Sequence, residues 1–279
     1  MVKIGMAQIM VCPEDSSKNK HKIEEYVKKA SEKKCDIIVL PECCDFGWAN
    51  PYASDQAESI PGKTSDFLCE LARSEKIHIV CGITEREGDK IYNAAVLVND
   101  EGEILLKHRK INLLTGIEDL YSVGNCVKVA DTKFGKIGVS ICADNLIDSD
   151  VIGHVLGRMG CQLLLSPSSW AVSDEFIKAG KKYGEEWTIP YEMLSKMYKM
   201  PIVGVSNVGE VPFGAWKGWH CIGNSIATNS KGEVVKVLPF GVHAEVLEII
   251  ELELVKNELQ GTALAQNISE WKNKMTSLS

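Results

Sequence analysis

Glu42, Lys110 and Cys142 carry the side chains needed for nucleophilic chemistry, and each follows a predicted strand that ends in a loop. The runs before Glu42 and Cys142 are apolar and rich in β-branched residues, which is typical of buried strands. Ligands of α/β folds collect at the carboxyl ends of strands. If these strand ends meet at one edge, a carboxylate, an ammonium group and a thiol converge there.

Such a set of side chains could cleave a carbon–nitrogen bond. The thiolate of a cysteine attacks a carbonyl carbon. An enclosed carboxylate could take the thiol proton and later give it to the leaving amine. An ionised lysine would stabilise the thiolate and the oxyanion, and the backbone N–H of Ala143 could be a second oxyanion donor.

Each residue also has a simpler interpretation. Cys142 could be a small buried core residue, and Glu42 could be an ion-pair partner in a loop. Lys110 could belong to a solvated basic run with residues 107–109. The residues alone do not decide between these interpretations.

Length and composition favour an ordinary globular protein. The chain has 279 residues, of which 45% are hydrophobic and 25% charged, and its net charge is −7. An acidic balance argues against a nucleic-acid partner, and no window is apolar enough for a membrane span. The start of the chain lacks the pattern of a signal peptide. We therefore expect a single domain over residues 1–279, with a tail from about 255 that could lie at an oligomer interface.

The ten cysteines show no Cys-x-x-Cys spacing, and most fall in apolar runs. A structural zinc site is therefore not expected. We predict reduced, mostly buried thiols, a cytoplasmic location and no metal.

Strand and helix patterns alternate in each half of the chain, and each half closes with hairpins. The late part is expected to contain a loop over 167–187, a helix over 189–199 and strands over 221–228 and 233–238. This order favours an α/β fold in which mixed sheets are covered by helices. Two such sheets could stack face to face with their helices outside.

The segments around the three reactive residues resemble the signature motifs of the nitrilase superfamily, the carbon–nitrogen hydrolases. The motifs occur in that family's order, and Tyr92-Asn93 is similar to a further one. The resembling segments are Leu40-Pro41-Glu42, Arg109-Lys110-Ile111-Asn112-Leu113, Gly138-Val139-Ser140-Ile141-Cys142-Ala143-Asp144 and Ser206-Asn207-Val208-Gly209.

The resemblance implies a four-layer α-β-β-α sandwich and a Glu-Lys-Cys triad. Glu42 would be the general base, Lys110 the oxyanion stabiliser and Cys142 the nucleophile. Glu118 is the candidate for a second glutamate that often stands between the lysine and the cysteine. The implied reaction is hydrolysis of a non-peptide C–N bond in a small amide or ureido (N-carbamoyl) compound through a covalent acyl-enzyme. No cofactor is implied, and a homodimer or larger homo-oligomer is expected.

The residues just past Cys142 depart from the family pattern, which often reads Cys-Tyr-Asp before an Arg-Phe-Pro-like segment. The small side chain of Ala143 could widen the pocket beside the nucleophile. The loop tryptophans could line this pocket or pack under long loops, and the segment 211–220 could be a mobile lid. The predicted substrate-binding residues are Ala143, Asp144, Trp170, Asn207 and Trp216.

Three other functions are alternatives to a C–N hydrolase. A nitrilase would use the same triad on a nitrile, but such members tend to have Cys-Trp-Glu where this chain has Cys-Ala-Asp. A transferase would need a second active site or a membrane anchor. A catalytically silent scaffold need not retain the three residues, and this chain has all of them.

Overall fold

Two six-stranded mixed sheets form the centre of the computed structural model, which describes residues 1–256 and Met275. The first sheet has the strand order β15-β1-β2-β3-β4-β5, and β1, β2 and β3 run parallel. Its strands are β1 (Val2–Gln8), β2 (Ile37–Val39), β3 (His78–Glu87), β4 (Lys90–Val98), β5 (Ile104–Arg109) and β15 (Val246–Leu252).

The second sheet has the order β14-β13-β10-β8-β7-β6, with β7, β8 and β10 parallel. Its strands are β6 (Val129–Thr132), β7 (Gly135–Val139), β8 (Leu163–Ser168), β10 (Ile202–Ser206), β13 (Ile226–Thr228) and β14 (Val234–Val237). A third, three-stranded sheet contains β9 (Ala171–Val172), β11 (Val208–Val211) and β12 (Trp219–Ile222).

The helices of the described residues are α1 (Ser16–Glu32), α2 (Ala53–Gln56), α3 (Lys63–Glu75), α4 (Val151–Arg158), α5 (Asp174–Lys178) and α6 (Glu185–Tyr198), and a short 3₁₀ turn spans Cys142–Asn145. Helices α1 and α3 pack on the outer face of the first large sheet, and α4 and α6 pack together beside the second. No helix among the described residues is both long and apolar enough to cross a membrane.

Strand β2 explains how the layers stack. Successive side chains of a strand point to opposite faces of its sheet. Ile37 and Val39 belong to the core that the two large sheets share. Ile38 and Leu40 belong to the core beneath α1 and α3. The predicted α-β-β-α sandwich is therefore confirmed.

Two predictions about the late part of the chain were wrong. The expected strand over 221–228 is divided into β12 and β13, because Gly223 (φ +64°) and Asn224 (φ +58°) adopt left-handed backbone conformations that a strand cannot contain. The segment 167–187 is not a plain loop, since it contains β9 and α5 and the start of α6. The predicted tail over 255–279 lies almost entirely outside the described residues.

Candidate active site

Lys110 lies between two carboxylates directly after the end of β5. Its Nζ atom donates to Oε1 of Glu42 at 2.9 Å and to Oε1 of Glu118 at 2.8 Å. All three side chains are completely buried, and Cys142 is 4% exposed. Glu42, Lys110 and Glu118 thus form one enclosed, charged cluster, and the charges of Glu42 and Lys110 act on the thiol of Cys142.

Glu42 reaches this cluster because its loop crosses from the first sheet to the second. The backbone N–H of Glu42 donates to the carbonyl of Ser168, at the end of β8, over 3.3 Å. Gly82 of β3 lets the loop pack closely, since a Cβ atom at that position would lie 2.5 Å from Cα of Glu42. Any larger residue would push the loop away.

Lys110 is buried because of the alternation along β5. Lys107 and Arg109 point to one face, where both bind the carboxylate of Glu85. His108 and Lys110 point to the other face and are buried, with exposed fractions of 2% and 0%. The basic run therefore contains one partly exposed pair, which binds Glu85, and one buried pair.

Cys142 begins the 3₁₀ turn with a left-handed backbone, φ +43°. For a residue other than glycine this conformation is strained, and such strain persists only where the surroundings hold it. The amide of Asn145 holds the turn by donating to the carbonyl of Cys142 at 3.2 Å and to Oγ of Ser166 at 2.9 Å. The thiol is thereby fixed at the end of β7.

Burial raises the pKa of Cys142 well above its usual value, and the charge of Glu42 raises it further. Lys110 and the backbone N–H of Ser169 oppose this shift by lowering the pKa. The resting group is therefore a neutral thiol, which needs a base before it can attack.

Glu42 is suited to be that base. Burial raises the pKa of Glu42, while Lys110 lowers it. One oxygen, Oε1, accepts from Lys110, whereas Oε2 is buried without a partner among the described residues. The free oxygen can accept a proton without breaking an existing hydrogen bond.

Lys110 stays ionised in this setting. Burial by itself lowers its pKa, but the charges of Glu118 and Glu42 outweigh burial and raise the pKa well above the usual value. A permanently charged ammonium group at this point can stabilise a developing oxyanion.

Two residues that bind the carboxylates were not among the predicted site residues. Asn93 of β4 donates to Oε1 of Glu42 at 2.7 Å and to Oε1 of Glu118 at 3.2 Å. Trp48 donates through Nε1 to Oε1 of Glu118 at 2.7 Å. Asn93 was noted only as part of a motif. Trp48 gave no signal, because it lies in a loop far from Glu118 in sequence.

Glu118 has no free oxygen. Besides the donors to Oε1, its Oε2 accepts from the backbone N–H of Leu114 at 2.8 Å. A carboxylate with every oxygen occupied is better suited to hold Lys110 than to exchange protons.

The five predicted substrate-binding residues lie at different depths. Ala143 and Glu118 line a cavity of about 550 Å³. Trp170 is 1% exposed and stacks on Trp187 with ring centroids 4.8 Å apart. Its Nε1, like Oδ1 of Asn207, is buried without a partner among the described residues.

Trp216 lies one layer further out. Its ring packs edge-to-face on Trp48, with centroids 5.4 Å apart, and stacks on Trp219 at 4.2 Å. Trp216 therefore contacts the carboxylate cluster through Trp48 rather than directly.

Asp144 requires a correction. It was predicted to bind substrate, but it is completely buried and both of its oxygens accept hydrogen bonds from protein groups. A carboxylate so occupied has no oxygen left for a ligand.

No group of three or more His, Cys, Asp or Glu side chains within residues 1–256 is arranged to hold a metal ion. The absence of a metal or cofactor from the reaction stays a prediction.

Comparison with known proteins decides the family. The profile of the carbon-nitrogen hydrolase family matches residues 3–254. The chain belongs to the carbon-nitrogen hydrolases. The family predicted from the motifs around Glu42, Lys110 and Cys142 is thereby confirmed.

Among curated relatives of this carbon-nitrogen hydrolase, an omega-amidase of Xenopus laevis is 31% identical over 178 residues. That match covers 60% of this chain and 63% of the omega-amidase, so it spans less than two thirds of that relative's length. A nitrilase of Pyrococcus abyssi is 29% identical over 263 residues, covering 92% of this chain and 93% of the nitrilase.

Solved structures share the fold. Nit3 of Saccharomyces cerevisiae, a member of branch 10 of the nitrilase superfamily, has a TM-score of 0.76 at 24% identity and covers 90% of each chain. A mutant amidase from Nesterenkonia sp. AN1 has a TM-score of 0.76 at 19% identity, covering 97% of this chain and 100% of the amidase. In that amidase, acrylamide has added to the active-site cysteine by Michael addition.

Proposed function

We propose that this carbon-nitrogen hydrolase cleaves the C–N bond of a small amide through a covalent acyl-enzyme on Cys142. The observation that carries the proposal is the buried contact of Lys110 with Glu42 and Glu118. The charges of Lys110 and Glu42 also shift the pKa of the Cys142 thiol. Nucleophile, base and oxyanion stabiliser are the groups that acyl transfer requires.

Acylation begins when Oε2 of Glu42 takes the proton of the Cys142 thiol. The sulfur attacks the carbonyl carbon of the amide, and the carbonyl oxygen becomes an oxyanion. Nζ of Lys110 and the backbone N–H of Ala143 stabilise this charge. The intermediate then collapses, the C–N bond breaks, and Glu42 returns the proton to the departing ammonia or amine.

Deacylation repeats the same chemistry with water. Glu42 removes a proton from a water molecule, and the resulting hydroxide attacks the thioester carbon. The C–S bond breaks, the carboxylic acid leaves, and the proton passes from Glu42 to the sulfur. The balance is one amide and one water in, and one acid and one ammonia or amine out.

An amide is the preferred substrate class, since an omega-amidase and amidases are among the similar proteins. A nitrile is the second candidate, because a relative that aligns over most of both chains is named a nitrilase. An ureido compound is the third, and its hydrolysis would release carbon dioxide as well as ammonia.

The test incubates the protein with a panel of candidate substrates and measures turnover as the release of ammonia. The panel contains short amides, amides bearing a carboxylate, N-carbamoyl amino acids and nitriles. We expect amides to be hydrolysed and Cys142→Ala to be inactive. Cys161→Ala is the matched control, since Cys161 is also buried but lies just before β8, at the opposite end of that strand from the contact of Ser168 with Glu42. Undiminished turnover by Cys142→Ala, or no turnover of any panel member, would overturn the proposal.

We also propose that the chain forms a homodimer or larger homo-oligomer. Two exposed apolar side chains of α4, Val151 and Val155, are four residues apart and share one helix face, and Ile147 and Met159 flank the helix at the same spacing. The exposed fractions lie between 38% and 60% for Ile147, Val151, Val155 and Met159. A two-fold interface lets two copies bury the same patch.

We further propose a cytoplasmic location. All ten cysteines lie in the described part of the chain and are free thiols, which suits a reducing compartment. Fractionation of the source cells, with the protein followed by antibody, would test the location.

A further inference from the structure

We infer that Asp144 is a positioning residue that fixes Lys110 and Cys142 relative to each other. This inference rests on the proposed function, since it assumes that both residues act in catalysis. It starts from the place of Asp144 in the fold, two residues after Cys142, with its carboxylate directed at the loop that follows Lys110.

One carboxylate oxygen of Asp144 binds the segment just after Lys110. Its Oδ1 accepts from the backbone N–H of Ile111 at 3.1 Å and from that of Asn112 at 2.8 Å. The side-chain amide of Asn112 donates to the same oxygen at 3.1 Å. The loop that leaves β5 is therefore fixed immediately beyond the lysine.

The other oxygen binds both flanks of the site. Oδ2 accepts from the backbone N–H of Ile141, the residue before Cys142, at 3.1 Å. It also lies 2.8 Å from Nε2 of His108, the interior residue of β5 two positions before Lys110. One side chain thus joins the residues on either side of the lysine to the residue before the cysteine.

This bridge bears on the strained backbone of Cys142. The backbone N–H of Asp144 donates to the carbonyl of Ile141 at 2.9 Å while its side chain accepts from the N–H of Ile141. The two bonds close the turn in which Cys142 holds a positive φ. Without them the turn could relax and move the thiol away from Lys110.

The donors around Asp144 favour its charged form. Burial raises the pKa of Asp144, but hydrogen bonds from His108 and Asn112 more than offset burial and leave the pKa below its usual value. An anion that accepts five hydrogen bonds holds its partners more firmly than a neutral amide, which offers one acceptor oxygen.

The test is Asp144→Asn, which keeps the size of the side chain and removes half of its acceptors. We expect a folded protein in which kcat falls by about 10²-fold and KM changes by less than about threefold, because the reacting groups are displaced while substrate binding is retained. The second readout is alkylation of Cys142 by iodoacetamide as a function of pH, followed on the tryptic peptide 137–158, which contains no other cysteine. This profile should move to higher pH, since Lys110 would stabilise the thiolate less well.

The matched control is Thr228→Val. Thr228 is also completely buried and its hydroxyl accepts from the backbone N–H of Ile202 at 3.1 Å, at the opposite end of β10 from the site. This variant should lose stability but keep kcat and the alkylation profile. If kcat falls as much in Thr228→Val as in Asp144→Asn, the loss of any buried hydrogen bond lowers kcat, and the inference is overturned.

A second pair of variants decides the matter if Asp144→Asn does not fold. His108→Leu removes the donor to Oδ2, whereas His108→Gln retains an N–H near the position of Nε2. We expect His108→Leu to lower kcat and raise the pH of alkylation, and His108→Gln to restore much of both. Equal behaviour of the pair, or an unshifted alkylation profile in folded Asp144→Asn, would overturn the inference.

The outcomes separate this inference from the proposed function. Alkylation of Cys142 needs no turnover, so its profile tests the positioning role by itself. If Cys142→Ala is inactive and Asp144→Asn is fully active, only the positioning role fails. If Cys142→Ala retains turnover, the proposed function fails first.

Discussion

At Glu42 one carboxylate oxygen is held and the other is free. Lys110 and Asn93 both donate to Oε1, while Oε2 has no partner among the described residues. Glu118 differs, because donors occupy both of its oxygens. This difference assigns proton transfer to Glu42 and the support of Lys110 to Glu118.

The isosteric change Glu42→Gln tests that division. It should lower kcat by about 10²- to 10⁴-fold, the usual size of a general acid–base contribution. Thermal unfolding should stay cooperative, because the amide oxygen can still accept from Lys110. Steady-state ammonia release measures the effect, and a kcat within about threefold of the unmodified enzyme would contradict the assignment.

The pH dependence of kcat/KM follows from the same residue. A base must be unprotonated to act, so the rate falls as pH drops through its pKa. Burial raises the pKa of Glu42, which moves this acid limb above the value of roughly 4.3 for an ordinary glutamate. A kcat/KM that is constant down to about pH 4.5 would show that the reaction does not depend on a carboxylate with a raised pKa.

At the scale of elements, the site depends on how closely the Glu42 loop packs on β3. Gly82 leaves no room for a side chain, since an added Cβ would lie 2.7 Å from the carbonyl oxygen of Pro41 and 2.8 Å from the backbone N of Cys43. These atoms belong to backbone, which cannot rotate away as a side chain can.

Gly82→Ala should therefore displace the loop. We expect a loss of about 1–3 kcal/mol in the free energy of unfolding and a fall in kcat beyond that explained by the unfolded fraction. Gly5→Ala in β1 is the control, because its added Cβ would lie 3.3 Å from the end of the Leu247 side chain, which can adjust. Denaturant unfolding and kcat are measured on both variants. Equal losses in Gly82→Ala and Gly5→Ala would contradict the close packing of the Glu42 loop on β3 as the cause.

Much of this arrangement was accessible from sequence. The two faces of β5 could be predicted from the sequence. A strand that directs Lys107 and Arg109 to one face must direct His108 and Lys110 to the other. The hydrogen bond from Trp48 to Glu118 was not available, because it joins loops that only the tertiary fold brings together. The break between β12 and β13 was marked by Gly223-Asn224, a pair that favours left-handed backbone.

At the scale of the whole molecule, the α-β-β-α sandwich gathers the carboxyl ends of parallel strands from both sheets. Glu42 follows β2 of the first sheet, and Cys142 follows β7 of the second. Alternating strands and helices predicted mixed sheets covered by helices, and the family resemblance predicted the four-layer sandwich. The motifs, through family resemblance, predicted which strand ends meet, and periodicity alone did not.

The apolar face beside α4 gives a prediction about assembly. Val151→Asp places a charge on a side chain that is 60% exposed, so the fold of a single copy should be retained. We expect light scattering to give the mass of a dimer or larger oligomer for the unmodified chain and a smaller mass for the variant. Val235→Asp, at a side chain 45% exposed on β14, is the control, and a variant mass equal to that of the unmodified chain would exclude this face as the interface.

The mass of the peptide 137–158 during turnover tests the central claim most directly. Enzyme quenched in acid while hydrolysing an amide, then digested with trypsin, yields this peptide with Cys142 as its single cysteine. The account predicts that the peptide gains the mass of the substrate's acyl group, and that peptides carrying the other nine cysteines do not. Steady turnover with the acyl group on a different peptide would contradict it.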